Sequence, residues 1–318
     1  MSNMDQQQKG GVTIRRLNKH DFETVVALDA AAVGHSRAPY FERRLKKALL
    51  RPALYVQLGA ELDGKLVGFM MARQMQGQFG RKEPALRLDA FAVASNVRGR
   101  QIGSALLTRL EDEAKHLKIS EIRTTTSWRD HAIMQFLDRA GFELGSELVV
   151  DRQITDQGFA AQQKEVAAPV RDKLEFSALK PDDLFDIVGI DKRVRDSDQR
   201  REAFFYELVD EATNDSAVRV SLVARVAGTA AGFVMARMNF GEYGRAKPVA
   251  VLDTIGVSPD YAGQGIGHAL LTQLFANLAE LRVVRVETVV ASEDFRLLGF
   301  FYDVGFKTSQ RLGFVKRV

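Results

Sequence analysis

Apolar and polar positions follow the same order in two long blocks of this chain. Val12–Leu17 and Leu174–Leu179 read as short strands. Each runs into a helical pattern with an acidic first turn, His20-Asp21-Phe22-Glu23 in one block and Pro181-Asp182-Asp183 in the other, where proline suits the first helical position. A charged second helix is expected near Tyr40–Leu50 and near Gln199–Asp210. Hairpins follow, Leu54–Leu62 with Lys65–Arg73 and Val218–Val226 with Ala230–Arg237, turned by Asp63-Gly64 and Ala227-Gly228. Next come the apolar runs Leu88–Val93 and Leu252–Val257, each leading through a glycine loop into a helix. A strand (Glu121–Thr126; Val283–Val289), a short helix (His131–Ala140; Phe295–Val304) ended by Gly141 or Gly305, and closing strands complete each block.

The blocks are copies. Between 88–108 and 252–272, ten of 21 residues are identical at a spacing of 164. The register holds upstream, where Gly64, Gly68, Phe69, Met71, Ala72 and Arg73 match Gly228, Gly232, Phe233, Met235, Ala236 and Arg237, and downstream, where Gly141-Phe142 matches Gly305-Phe306. In the early helices the spacing becomes 162, pairing Asp29 with Asp191. A period this long indicates a duplicated domain rather than a solenoid of 20–50-residue units.

The stretch from Leu252 to Leu271 carries the chemistry. Ser258-Pro259-Asp260 ends its strand, Gly263, Gly265 and Gly267 follow at spacing two, and Ala269-Leu270-Leu271 opens a helix. Strand, glycine loop and helix N-terminus make an anion site, with backbone N–H groups and the helix dipole pointing at the ligand. The phosphate loop ending in Gly-Lys-Ser/Thr is absent, and the dinucleotide fingerprint fails because His268 stands where its third glycine belongs.

This arrangement resembles the acyl-CoA pyrophosphate loop of the GCN5-related N-acetyltransferase (GNAT) family. That family's signature is Gln/Arg, two residues, Gly, one residue, Gly/Ala. Gly265 and Gly267 match it, and Ala262 replaces the Gln/Arg. The resemblance covers nearly all of both copies. It implies an α/β (α+β) fold of two tandem GNAT-like domains, each a mixed, mostly antiparallel, splayed sheet flanked by helices. The expected domains are 12–152 and 173–318, joined by a Gln/Ala-rich linker over 153–172, with a frayed polar tail over 1–11.

The resemblance also implies acetyl-CoA as cofactor. In the second copy it would be held by Ile255, Gly256, Val257, Ala262, Gly263, Gln264, Gly265, Ile266, Gly267, His268 and Ala269. In the first it would meet Phe91, Val93, Arg98, Gly99, Arg100, Gly103 and Ser104, with Gln101 where the second copy has Gly265 and weaker binding expected for that reason. Asp89 and Asp253 occupy the same place in an apolar strand. Aspartate is depleted in strands and rarely buried unpaired. By the resemblance such a carboxylate is a general base toward an amine; a structural carboxylate bonded to a neighbouring loop reads equally well. Glu287, whose counterpart is Arg123, is a second base, an anchor for the amine, or a solvated strand position. The family's thiolate-protonating tyrosine falls at Phe301, with Tyr302 one residue later; the first copy has Leu137 and Asp138. The implied function is acetyl transfer to a primary amine of a small molecule or peptide, with the chemistry in the second copy. The alternative is a non-catalytic acyl-CoA-binding protein, which Ala262, Gln101 and Phe301 favour.

Composition narrows this further. The chain has 318 residues, 46% hydrophobic and 27% charged, which suits about two packed domains. There are no cysteines, so disulfides and thiolate chemistry are excluded. Lys and Arg are dispersed among nearly as many acids at a net charge of +4, unlike the basic stripe of a nucleic-acid binder, so no nucleic-acid partner is expected. No apolar run reaches 18 residues and the N-terminal stretch lacks a signal-peptide core, so the expectation is a cytoplasmic protein without a membrane partner. The five histidines lack metal-ligand spacing, and no metal is expected. Gly77–Arg81 and Gly241–Arg245 read as long hairpin turns or as flaps over the acceptor side. Trp128 reads as wall or core packing.

Overall fold

The computed structural model describes residues 7–9, 11–75, 84–154, 166–195, 201, 204–206, 208–209, 220–239 and 249–318. The candidate flaps lie outside the described residues, as does most of the expected helix over Gln199–Asp210, of which 204–206 and 208–209 are helical.

The first copy forms β1 (Gln7–Lys9), β2 (Val12–Arg16), α1 (Phe22–Val33), α2 (Ala38–Leu50), β3 (Tyr55–Leu62), β4 (Lys65–Met75), β5 (Ala85–Val93), α3 (Ile102–His116), β6 (Glu121–Ser127), α4 (His131–Arg139) and β7 (Glu143–Gln153). The linker end forms α5 (Ala168–Arg171). The second copy forms β8 (Leu174–Ala178), α6 (Leu184–Arg195), β9 (Leu222–Val226), β10 (Thr229–Asn239), β11 (Val249–Val257), α7 (Ile266–Glu280), β12 (Arg285–Ala291), α8 (Phe295–Asp303) and β13 (Lys307–Arg317). Within the stretch expected to fray, Gln7–Lys9 pair with Val12–Ile14 as an edge strand. Both hairpin turns take left-handed backbone at both central residues, Asp63-Gly64 and Ala227-Gly228, the geometry that matches the twist of the flanking strands.

Among the described residues all strands join one sheet of thirteen, in the order β1-β2-β3-β4-β5-β6-β13-β7-β12-β11-β10-β9-β8. Among the described residues, β5–β6 and β11–β12 are the parallel pairs and the rest are antiparallel. The two copies are not self-contained, because they exchange their closing strands. β7 pairs with β12 over Glu147↔Ala291 to Gln153↔Arg285, and β13 pairs with β6 over Arg311↔Ser127 to Arg317↔Glu121. Period-two patterning identifies a strand but not the edge it joins. Two copies of one domain offer nearly equivalent edges, so the closing strand of either fits the other.

The cores follow the exchange. α3 buries Ile102, Leu106, Leu107, Leu110 and Ala114 at helical spacing, in a cluster with Leu86, Leu88, Ile122 and, from the far end of the chain, Phe314. α7 buries Ile266, Leu270, Leu271, Leu274, Phe275 and Leu278, in a cluster with Leu252, Val286 and Val150 of the first copy. On the other sheet face a duplicated buried ion pair holds the early helices. Arg37 Nε donates to Asp29 Oδ2 at 2.7 Å, and Arg201 Nε to Asp191 Oδ2 at 3.1 Å. Each guanidinium also lies over two rings, Tyr40 and Phe41 or Phe204 and Phe205.

Candidate active site

Each copy holds a V-shaped opening made by its parallel pair. β11 stays paired with β12 for three residues, ending at Val251↔Glu287. β5 stays with β6 for two, ending at Arg87↔Arg123. The cause lies on the opposite edge. Met235 and Ala236 of β10 face Thr254 and Leu252, leaving Asp253 as an extra residue in β11. Met71 and Ala72 of β4 face Ala90 and Leu88, leaving Asp89 extra in β5. A bulge of this kind bends its strand away from the neighbour. At each vertex a threonine hydroxyl donates to the carbonyl just before the bulge, Thr288 to Leu252 at 2.9 Å and Thr124 to Leu88 at 3.0 Å. Beyond the vertex, Ile255, Gly256 and Val257 remain paired with β10, and their other edge carries no strand pairing among the described residues.

That free edge leads into the glycine loop. Pro259–Tyr261 form a 3-10 turn, which Arg193 braces by donating to both Asp260 carboxylate oxygens at 2.7 and 2.8 Å. These hydrogen bonds hold the Asp260 pKa below the usual carboxylate value and raise that of Arg193. Ala262 and Gly263 are exposed, and Gly263 and Gly265 have φ of 75° and 84°. Gly265 is the N-cap of α7, so Ile266, Gly267 and His268 form its first turn. A Cβ at Gly267 would lie 3.3 Å from the Phe300 ring, which also packs edge-on against His268 at 5.2 Å. The loop is tied to the linker end, where Ala167 N–H donates to the Gln264 carbonyl at 3.1 Å.

The first copy builds the same loop with other residues. Gly99 has φ 84°, and Gln101, the N-cap of α3, takes φ 58° in the left-handed region. Gln101 thus takes the left-handed turn that Gly265 takes in the second copy. Arg98, Arg100 and Ser104 are exposed, while Phe91 and Val93 are half-buried on β5. Gly103 approaches Phe136 at 3.0 Å, measured from a Cβ built on it.

The two aspartates are buried ion-pair partners. Asp253 is 2% exposed, and Arg237 Nε donates to its two oxygens at 2.9 and 3.1 Å. Asp89 is wholly buried and meets Arg44 Nη2 at 2.5 Å, with Arg73 Nε and Arg87 Nε each at 3.4 Å. Glu287, expected to be solvated if structural, is buried, and it sits at the vertex between Val251 of β11 and Asp151 of β7. Its counterpart Arg123 meets Glu121 and Glu147, each at 2.5 Å, and burial lowers its pKa.

Tyr302 does not join this group. It is half-exposed and its hydroxyl lies 3.5 Å from Thr308 Oγ1 on β13. Phe300 faces the glycine loop, and two residues further along a helix is about 200° around it, so Tyr302 turns away from the loop. Phe301 is fully buried in the core. Trp128 lies half-exposed with Arg129 over its ring. The threonines at the vertices and the arginines on β4 and β10 escaped the sequence reading of the site. Their signal was available, since Thr124 and Arg73 recur as Thr288 and Arg237 at the same 164-residue spacing.

The fold is a pair of splayed sheets, each with a glycine loop and helix N-terminus at the mouth of its opening. The family model described as Acetyltransferase (GNAT) family matches residues 14–142 and 182–306. The chain therefore belongs to the GNAT family, with one family unit in each half. Among solved structures, a tandem GNAT protein from the clavulanic acid biosynthesis pathway is 17% identical with a TM-score of 0.66, over 96% of this chain and 98% of its own. A GCN5-related N-acetyltransferase from Sphaerobacter thermophilus is 15% identical at TM-score 0.61, over 98% and 97%. The glucosamine N-acetyltransferase region of a fungal multi-domain β-N-acetylglucosaminidase is 16% identical at TM-score 0.65, over 96% of this chain; the chain spans 38% of that protein's length. At these identities the likeness is one of fold. Membership makes acetyl-CoA the cofactor and supports acyl-CoA-dependent acetyl transfer. The second loop fits that group: two left-handed glycines, an exposed Gly263 with nothing within 4 Å of a built Cβ, and a fifteen-residue helix starting at the loop. Among the described residues no helix is long and apolar enough to cross a membrane, and no group of three or more His, Cys, Asp or Glu could hold a metal ion.

Proposed function

We propose that the chain acetylates a primary amine of a small molecule or peptide, with the chemistry in its second half. The observation that carries this is the second vertex, where buried Asp253 and Glu287 stand beside the free edge of β11 and its glycine loop. Bound acetyl-CoA supplies an acetyl group activated as a thioester. The N–H groups of Ile255 and Val257, which alternate away from β10, are the donors for charge developing on the acyl oxygen. α7 and Gly263 to His268 hold the phosphates.

An amine must be neutral to attack, so a proton has to leave it. Asp253 is the first choice to take it, directly or through water, and Glu287 the second. Arg237 Nε, donating to both carboxylate oxygens, fixes the orientation of Asp253. The proton for the departing thiolate is not assigned to Tyr302, which faces away, and water supplies it.

The test is release of free thiol from acetyl-CoA in the presence of an amine panel of amino acids, polyamines, aminoglycosides and peptides. Turnover with at least one amine is expected. Tight acetyl-CoA binding without thiol release for any amine would leave a binding protein instead.

A further inference from the structure

The two vertices differ in charge, and the second copy shows that the fold does not require the difference. Around Asp89 the first copy gathers Arg44 from α2, Arg73 from β4 and Arg87 from β5. Arg73 has its counterpart in Arg237. The other two do not persist. The 164-residue register pairs Phe41 with Phe205 and Leu45 with Val209, all four buried. It places Leu208 opposite Arg44, packed beside that buried cluster, and Val251, 6% exposed, opposite Arg87.

Burying a guanidinium is costly unless an anion and hydrogen bonds compensate it. Arg44 and Arg87 are 7% and 6% exposed. The buried Nε of Arg44 makes no hydrogen bond among the described residues. The sister copy holds the same bulge and the same Asp–Arg pair with leucine and valine in their places, so packing alone does not call for these two arginines. Arg87 is also the last residue of β5 paired with β6, which puts it at the base of the opening.

We propose that the first half's opening binds a small organic anion through a carboxylate, seated on Arg44 and Arg87 beside Asp89. The planar guanidinium fork matches a carboxylate in two parallel hydrogen bonds. Asp89 shares the arginines and orients them. The site is thus selective for the opposite charge from the amine assigned to the second half, and it stands independently of that assignment.

The test uses the full chain with succinate as probe, against chloride at matched ionic strength. Thermal unfolding is followed by the fluorescence of Trp128, the one tryptophan in the chain. At about one hundred times Kd, succinate is expected to raise the wild-type midpoint by roughly 5 °C. The double variant Arg44→Leu with Arg87→Val installs the sister copy's residues and is expected to lose the rise. Arg44→Lys keeps the charge without the fork, tests the site even if the double variant folds poorly, and is expected to weaken succinate about tenfold. No rise in the wild type, or an equal rise in the wild type and both variants, overturns the proposal.

Discussion

Phe314 tests the strand exchange. It lies four residues from the end of the chain, yet its ring is 8% exposed in the cluster built from Leu86, Leu106, Ile122 and Phe142 of the first copy. It reaches them because β13 is zipped onto β6, with Phe314 opposite Thr124. Truncating a buried phenylalanine to alanine costs about 3–5 kcal/mol. The ring is at the margin of its cluster rather than its centre, so the lower figure applies. For a unit of this size that shifts the unfolding midpoint by roughly 6–12 °C.

Trp128 gives the assay. It follows β6 in the first copy, and its backbone N–H donates to the Gln310 carbonyl of β13 at 3.1 Å. Its fluorescence reports the first half and its seam with the last strand. Phe314→Ala is expected to lower the midpoint seen by Trp128 as much as that seen by circular dichroism. The reciprocal variant, Val150→Ala on β7, strikes the second half's core, where Val150 is fully buried. If Phe314→Ala leaves the Trp128 transition unmoved while another part of the chain melts early, β13 does not complete the first half's sheet and the exchange is wrong.

The remaining predictions concern the sites. Asp253→Asn is expected to cut turnover by about 10²–10⁴-fold with acetyl-CoA affinity nearly unchanged; breaking its buried pair with Arg237 should also cost about 3–5 kcal/mol, so calorimetric acetyl-CoA binding must accompany the kinetics, and unaltered turnover in a folded variant makes Asp253 structural. Gly265→Gln copies the first half's residue onto a left-handed φ of 84° at a strain of about 1–2 kcal/mol, and should weaken acetyl-CoA by roughly tenfold by titration. Asp21 gives a pH dependence: burial works to raise its pKa, but hydrogen bonds from Arg15 and from Asn18 N–H outweigh that and hold it below the usual value. With the folded value depressed, its stabilisation is present above about pH 3.9 and is lost as pH falls through the folded value. Wild type and Asp21→Asn should therefore differ in denaturant midpoint at neutral pH and converge in strong acid, and a difference that persists there would show that charge is not the cause.

Much of the fold was legible because it is written twice. Asp63-Gly64 and Ala227-Gly228 mark the hairpins, the apolar runs before the glycines mark the parallel strands, and Gly141 and Gly305 end the short helices. The closing strands could be located but not paired, since alternation along Glu143–Gln153 says which face each residue takes and nothing about which copy supplies the partner. The bulge was hidden for a related reason. Asp89 and Asp253 stand out as polar residues in apolar strands, but only the pairing with β4 and β10 shows that each is the extra residue that bends its strand. Gln101 in place of a glycine suggests weaker cofactor binding in the first copy; the sequence does not show that the backbone there takes the same left-handed turn with a glutamine.

The duplication also separates what shapes an opening from what selects its ligand. Aspartate at the bulge, arginine across from it and threonine at the vertex are the same in both copies, and these are the groups that bend the strand and replace its lost ladder bond. Arg44 against Leu208, Arg87 against Val251 and Arg123 against Glu287 are the differences; the last two pairs end the parallel pairings at the base of each opening, and Arg44 reaches Asp89 from α2. The positions of the pair Arg123–Glu147 hold residues of reversed sign, Glu287 and Arg311, at the same spacing. β7 and β13 lie side by side between β6 and β12. Arg123 reaches across β13 to Glu147, and Arg311 of the second copy donates to the Thr125 carbonyl of the first at 2.7 Å. Each opening is therefore finished by side chains of a strand that the other copy contributes or borders. Cutting the chain in the linker would take from each half a strand on which its vertex depends. The division of labour between the two openings must consequently be read from point substitutions in the whole chain, where loss of one activity can be told apart from loss of its supporting strand.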